Sequence, residues 1–433
     1  MSDDLQLGFG AMADDDAFKA ERGGSLRAAF GVPPFSIMDA RQGYWKDRKQ
    51  AWLGLGIESE LGRDDGLLKF SDVANGEVRY SRSNNSVPND LGVAASAEFA
   101  AASPVGRRLA AAPQSEKYEL PPEGAATLKG TSVFDPVLCE MAYRWFCPEN
   151  GRVLDPFAGG SVRGIVAAWL HRHYTGIDLR EEQVESNREQ AERILEPGWQ
   201  PEWITGDCLD VLPGLAPCPT CRGFPSQFTG CKACSGESPK PYDMVLSCPP
   251  YYDLEAYSDD PRDLSNKGSY EEFAALHAES IRLAVANLRP DSFCVWVVGE
   301  IRGDWDKGGF YRGLVPDTIR AFEDAGARFY NECILITAVG SLSIRAARVF
   351  TASRKLGKTH QNILIFCKGD PARAVKRCGK VDMEAFGWHP DEPGEEGAEE
   401  PLASSAEYQS PEAKLAREAI IAAHLPSEKE GPR

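Results

Sequence analysis

The sequence predicts a doubly wound α/β fold, with a mostly parallel sheet of about seven strands, over residues 126–369. Three observations predict it. Short apolar runs alternate with helical stretches, the order that makes a parallel sheet covered on both faces. The first strand ends in a glycine turn that opens a helix, in "GRVLDPFAGGSVRGIV". The next two strands end in single aspartates, where such sheets bind ligands.

The elements follow in order. "GRVLDPFAGG" reads as a strand and turn, "SVRGIVAAWLHR" as a helix, "HYTGIDLR" as a second strand and "EEQVESNREQAERIL" as a polar-faced helix. "PEWITGDCLDVL" is a third strand and turn, and "YDMVLSCPP" a fourth strand. "SYEEFAALHAESIRLAVANL" and "VPDTIRAFEDAGA" are helices; "SFCVWVVGEIR", "RFYNECILITAVG" and "HQNILIFCKG" complete the strands. Residues 1–28 are acidic and poor in aromatics, and are expected to be disordered. Residues 29–125 form an accessory segment that passes into a Ser/Asn/Ala-rich linker. The Pro/Glu-rich tail, 370–433, is expected to be disordered apart from a short helix at "PEAKLAREAIIAAHL".

At 433 residues the chain is long enough for two or three domains. It has no apolar run of about 18 residues and no basic, apolar leader, so it is expected in the cytoplasm (a host's, if phage-encoded). Its net charge of −17 argues against non-specific coating of nucleic acid, but not against a local basic groove. Twelve cysteines in a chain of this kind read as metal ligands and buried thiols rather than disulfides.

The strand ends carry matching chemistry. In Asp155-Pro156-Phe157-Ala158-Gly159-Gly160-Ser161 the glycines let backbone N–H groups approach a ligand closely. Asp178 stands where a carboxylate can accept both hydroxyls of a ribose, and Asp207 where one can meet an adenine amino group. The turn fits neither the dinucleotide fingerprint GxGxxG nor the phosphate loop GxxxxGK[ST], which lowers the dehydrogenase and NTPase readings. With "SCPPYY" following at Ser247–Tyr252, this ordered set resembles the S-adenosylmethionine-dependent methyltransferases that modify exocyclic amines in DNA. The resemblance spans about 130–369, and with "RQGYWKDRK" it extends to methylases carried by bacteriophages. It implies that the loop from Asp155 to Ser161 holds the methionine moiety, Asp178 the ribose, and Asp207 with Cys208 the adenine. It also implies that Phe134, Asp135 and Pro136 close over the methionine end.

In that family the loop Asp/Asn/Ser-Pro-Pro-aromatic receives a base swung out of the duplex, and the aromatic ring stacks on it. Its first side chain and the first proline carbonyl accept hydrogen bonds from the amine, so alignment and desolvation do most of the catalysis. The corresponding residues are Cys248, Pro249, Pro250 and Tyr251. A thiol is a weak acceptor but is closest to serine in shape. The target base is left open, with cytosine N4 favoured over adenine N6. Cytosine C5 chemistry uses the order Pro-Cys, which is reversed here. Ser247 is out of register by one, and Tyr252, Asp253 and Glu255 are expected at the pocket mouth. "YSDDPRDLSN" is expected to be a loop that orders with substrate. RNA or protein amide methylation, and a non-catalytic binding protein, remain as alternatives.

Cys218, Cys221, Cys231 and Cys234 form C-x2-C-x9-C-x2-C within an insert at 216–240. Two such knuckles supply four thiolates to one structural zinc ion, with iron–sulfur the chemical rival. The insert is expected to clamp the catalytic loop, or else to touch DNA through Arg222 and Lys232. Between Cys333 and Lys368 there is no acidic residue, yet Arg345, Arg348, Arg354, Lys355, Lys358 and His360 occur there. Such a segment can track the phosphates of DNA, the expected partner. Arg41, Tyr44, Trp45, Lys46, Arg48, Lys49 and Trp52 form a second basic-aromatic cluster, able either to read bases or to cover the domain.

Overall fold

Residues 26–58, 134–223, 231, 233–234, 238–255, 257–303, 308–340 and 342–381 are described by a computed structural model. The expectations for residues 1–25, for the linker from 59 and for the tail helix at "PEAKLAREAIIAAHL" lie outside the described residues. Among the described residues, no helix is long and apolar enough to cross a membrane.

The core repeats strand and helix: β2 Arg152–Asp155, α4 Val162–Trp169, β3 His173–Asp178, α5 Glu181–Ile194, β4 Glu202–Thr205, α6 Cys208–Leu215 and β5 Tyr242–Ser247. It continues through α7 Tyr270–Asn287, β6 Leu288–Val298, α8 Leu314–Asp324, β7 Arg328–Ile336, α9 Leu342–Ser353, β8 His360–Lys368 and α10 Pro371–Cys378. Ahead of it lie α1 Leu26–Phe30, β1 Ile37–Asp39, α2 Gly43–Gly54 and α3 Pro136–Phe146. The strands lie in the order β1-β7-β8-β6-β5-β2-β3-β4, with β8 antiparallel to both of its neighbours and the remaining pairs parallel.

The sheet therefore has eight strands, not seven. The eighth is β1, which comes from the accessory segment and pairs Ile37 with Ile334 at the sheet edge. Three residues are too few to show a period of two, so sequence patterning passed over it. The stretch predicted to be tail from 370 also begins with structure. Asp370 accepts the amides of Ala372 and Arg373 at the start of α10, and Arg377 donates to the Asp291 carbonyl (2.8 Å).

Alternate strand residues face opposite layers, as a pleat requires. Val153, Met244, Leu246, Val295, Ile363 and Ile365 pack with residues of α3 and α4. Leu154, Val245, Trp296, Leu364 and Phe366 pack with residues of α7 and α8. Local signals fix the helix starts. Asp135 accepts from the Val137 amide, Ser269 from that of Glu272, and Glu181 and Glu182 lie in the first turn of α5.

The basic-aromatic cluster covers the domain. Trp45 and Trp52 are fully buried, and Arg48 nearly so. Arg48 forks onto both oxygens of Glu140 on α3 (2.6 and 2.5 Å), which also accepts from Trp52 Nε1 (2.9 Å) and Arg144 (2.8 Å). Burial raises the Glu140 carboxyl, and the two guanidiniums with the indole outweigh it, so the group stays ionised below its ordinary range. Glu140→Ala would leave two buried cations without their shared counter-charge, and is expected to destabilise the fold by about 3–5 kcal/mol in denaturant unfolding. A change below about 1 kcal/mol would remove this cluster from the core of the fold.

Candidate active site and metal centre

The chain runs from β2 outward to β3 and β4, then returns to place β5 on the other side of β2. That reversal opens a crevice at the carboxyl ends of β2 and β5, where doubly wound sheets bind ligands. The loops after both strands carry predicted site residues.

Asp155 ends β2 with its carboxylate fully buried. It accepts from Ser247 Oγ (2.6 Å), Tyr174 Oη (2.7 Å), Arg163 Nε (2.5 Å) and the Phe157 amide (3.1 Å). It joins β2, β3, α4 and β5 and faces inward, so within the Asp155–Ser161 loop it is a joint. Arg163 also donates to the carbonyls of Phe157 and Ala158, and its guanidinium lies 4.6 Å from the Phe134 ring centroid. Pro156 is buried, and Ser161 is buried with its hydroxyl 3.1 Å from Gln190 Oε1. Gly159 and Gly160 are left half-exposed. Gly159 has φ +52°, and a Cβ there would meet nothing within 4 Å, so the turn leaves open space beside its backbone.

Asp178 links the neighbouring strand ends. Its Oδ2 accepts from the Gly159 amide (2.9 Å), its Oδ1 from that of Arg180 (2.9 Å), and its backbone carbonyl from Gly206 N (2.8 Å). Burial pushes its carboxyl up to about 6. Asp207 Oδ1 caps α6 through the Leu209 amide (2.9 Å); no described group donates to Oδ2. Cys208 is buried behind it, and desolvation raises its thiol. Phe157 is half-buried, its ring 6.1 Å from that of Trp296. Asp135 accepts from Trp45 Nε1 (3.3 Å) and Lys49 (3.1 Å) as well as from its own helix, and Pro136 is buried as the first residue of α3.

The Cys248–Tyr251 loop leaves β5 beside this turn. Ser247 turns inward to Asp155, whereas Cys248 is half-buried with its sulfur 3.6 Å from Tyr251 Oη. Tyr251 Oη also lies 3.4 Å from the Val297 carbonyl. Burial raises the Cys248 thiol, which keeps it protonated and unlike a nucleophilic thiolate. Pro249 is buried and Pro250 half-buried. Tyr252 does not line the mouth. It is buried at φ +54° among Tyr270, Phe273 and Arg312, anchoring the loop from behind. Glu255 accepts from Tyr257 Oη (2.6 Å). The following loop is held by its own bonds, Ser258 to Asp263 (2.9 Å) and Asn266 to the Ser258 carbonyl (2.6 Å).

The basic segment contains α9 and ends above this pocket because β8 runs antiparallel to β6. A Cβ on Gly299, just past β6, would lie 2.9 Å from Lys358 Nζ and 3.3 Å from Tyr251 Cε2. Burial lowers the Lys358 ammonium to about 8, and it lies 3.4 Å from the Glu300 carbonyl. Lys355 donates to the Gly308 carbonyl (2.6 Å), Arg354 lies over Phe350 (5.3 Å), and Arg348 and His360 are exposed. The Arg345 side chain lies outside the described residues.

Cys218, Cys221, Cys231 and Cys234 bring their sulfurs within 4.8 Å of one another, an arrangement that can hold a metal ion. The pairs Cys218–Cys231 and Cys221–Cys234 stand 3.9 and 3.6 Å apart. A tetrahedral site with bonds of about 2.3 Å requires about 3.8 Å, whereas iron–sulfur clusters spread their ligands over several irons. Amides of Cys221 and Thr220 aim at the Cys218 sulfur and hold its thiol below the usual range.

Among the described residues, the contacts of the insert lie just before β5 and not at the Cys-Pro-Pro-Tyr loop. Cys218 N donates to Ser238 Oγ (2.7 Å), and Gly223 abuts Pro239 and Pro241, immediately before β5. The knuckle therefore holds the amino end of β5, about 20 Å along the strand from that loop. Lys232 lies outside the described residues. Near this end of the sheet a groove of about 520 Å³, lined by Arg152, His173, Gln200, Glu202 and Lys240, contains neither the glycine turn nor the catalytic-loop candidates.

No family model and no curated protein matches the chain. Among solved structures it is similar to magnesium protoporphyrin IX methyltransferase from Synechocystis with bound SAM, at 15% identity and TM-score 0.29, covering 51% of this chain and 71% of that one. It is similar to a SAM-dependent methyltransferase from Agrobacterium tumefaciens at 12% identity and TM-score 0.32, over 56% of this chain and 64% of that one. A methyltransferase from Pyrococcus furiosus is 15% identical with TM-score 0.31, over 64% of this chain and 99% of that one.

Metal analysis of the purified protein should return about one tetrahedrally bound ion per chain, and Cys221→Ser should lose it and lower Tm. Metal-free protein of unchanged Tm would sink the site.

Proposed function

We propose that this protein transfers a methyl group from S-adenosylmethionine to the exocyclic amine of a base in DNA. The observation that carries the reading is the meeting of the glycine turn, Asp178 and the Cys-Pro-Pro-Tyr loop at one switch point.

The open space at Gly159 and the open oxygen of Asp207 fit an extended polar ligand laid across the ends of β2, β3 and β4. On this reading the Gly159-Gly160 backbone meets the methionine end, Asp178 the ribose and Asp207 the adenine. The cofactor would supply an activated methyl group. The chain's own residues would present the amine: Tyr251 as the wall on which a planar base stacks, and the Pro249 carbonyl as acceptor for an amine hydrogen. Cys248 beside it is a neutral, weakly accepting thiol, which sits with amine rather than C5 chemistry. The favoured metal is zinc, closed and structural. DNA is supported by the basic segment beside the pocket, with Lys358 and the Tyr251 ring both next to Gly299.

The deciding experiment is nucleoside mass spectrometry after incubating DNA or RNA with protein and isotopically methyl-labelled cofactor. Label is expected in N4-methylcytosine or N6-methyladenine from DNA, and Tyr251→Ala should abolish it while cofactor affinity holds. Label confined to RNA or protein, or full turnover by the variant, would overturn the assignment.

Cofactor affinity should depend on pH through Asp178. With a pKa near 6 the group is a carboxylate above that value and loses charge and an acceptor below it. Affinity measured by calorimetry should weaken toward about tenfold per pH unit below 6, and Asp178→Asn should flatten the profile. The stability contribution has the opposite sign. Because the folded pKa exceeds the ordinary 3.8, it is fully present below that value and is lost as pH rises through about 6. A wild-type affinity profile flat through pH 6 would remove Asp178 from the cofactor site.

A further inference from the structure

Beyond β6 the chain makes a narrow two-armed ribbon next to the pocket. Arg302 pairs with Tyr311 antiparallel, Gly303 N donates to the Phe310 carbonyl (2.8 Å), and Arg312 N to that of Ile301 (2.9 Å). The base of the ribbon lies beside the Tyr251-Tyr252 stretch. A Cβ on Gly299 would lie 3.3 Å from the Tyr251 ring, and the Arg312 guanidinium lies 5.0 Å over Tyr252. Phe310 lies two residues from Arg312, about 7 Å along an extended arm.

Phe310 is 77% exposed although it is a large apolar ring. Its underside rests on Gly308, where a Cβ would come within 2.7 Å of the ring. The ring thus lies beside the Gly308 backbone with most of its surface in solvent. Two cations stand beside it among the described residues, while Asp304 and Asp306, between the two arms, lie outside them. Arg302 lies 4.0 Å over Tyr311, and Lys355 bridges from the basic segment to the Gly308 carbonyl. An exposed aromatic ring with Arg302 and Lys355 beside it matches a polyanion that also offers stacked rings.

We propose that this ribbon is a wedge for duplex DNA, with Phe310 entering the base stack at the place vacated by the target base. The inference rests on the reading of the pocket as a site for an extruded base. Extruding a base costs unstacking and unpairing energy, and an apolar side chain filling the gap offsets it. The flanking cations hold the phosphates on either side of the opening. The wedge acts on opening the duplex and not on the transfer itself.

The test uses a duplex carrying the site mapped with labelled genomic DNA, with its target base either paired or set opposite an abasic position. Phe310→Ala is expected to lower kcat/KM on the paired target by about 100-fold and to stay within about threefold of the unaltered protein on the unpaired one. Cofactor affinity should not change. Equal loss on both duplexes, or no loss on either, overturns the wedge. So does this pattern appearing in Leu356→Ala, the 73% exposed neighbour on the basic segment, in place of Phe310→Ala. If the unaltered protein labels neither duplex, the underlying reading fails and the wedge fails with it.

Discussion

The buried carboxylate of Asp155 is the constraint on which the candidate site depends. Four donors from β3, the glycine turn, α4 and β5 converge on its two oxygens. A buried carboxylate is tolerable only when its charge and lone pairs are met, and Arg163 supplies the charge. The same guanidinium holds the carbonyls of Phe157 and Ala158. The turn that offers Gly159 and the strand that delivers Cys248 are thus fixed to one atom group. Each of these contacts sets a position; the ligand-facing surface is left to backbone and to the half-exposed residues beside it.

The two ends of the sheet divide their duties. The carboxyl ends gather Gly159, Asp178, Asp207, Cys248 and Tyr251, with the basic segment above. The amino end of β5 carries the four-cysteine knuckle, which anchors the strand where it enters the sheet. An insert between α6 and β5 lengthens a connection that must still deliver β5 in register with β2. A metal ion held by the four cysteines would shorten the effective loop. The accessory segment works similarly on the far layer, where Trp45, Arg48 and Trp52 fasten α3 and, through Asp135, the residues that precede it.

Cys248 remains the chemically unusual position. Its thiol is neutral through burial, and the Tyr251 hydroxyl stands beside its sulfur. On the proposed reading, a weak acceptor there would shift the task of orienting an amine onto the proline carbonyl, which two consecutive prolines hold rigid.

By itself the sequence determined the fold class, seven of the eight strands, the residues at each strand end and the cysteine pairs, because period, glycine turns and ligand spacing are local properties. Tertiary structure decided the rest. Arg163, Tyr174 and Ser247 looked like ordinary helix and strand residues until strand order brought them onto Asp155. Tyr252 left the pocket mouth because its backbone turns at positive φ, which no composition reveals. The basic-aromatic cluster had two readings in sequence, and burial of both tryptophans against α3 chose one. Lys358 came to lie beside Gly299, next to the Tyr251 ring, only because β8 runs antiparallel and carries its preceding loop to the carboxyl end of β6. Contacts between residues distant in the chain depend on strand order and direction, and a one-dimensional pattern records neither.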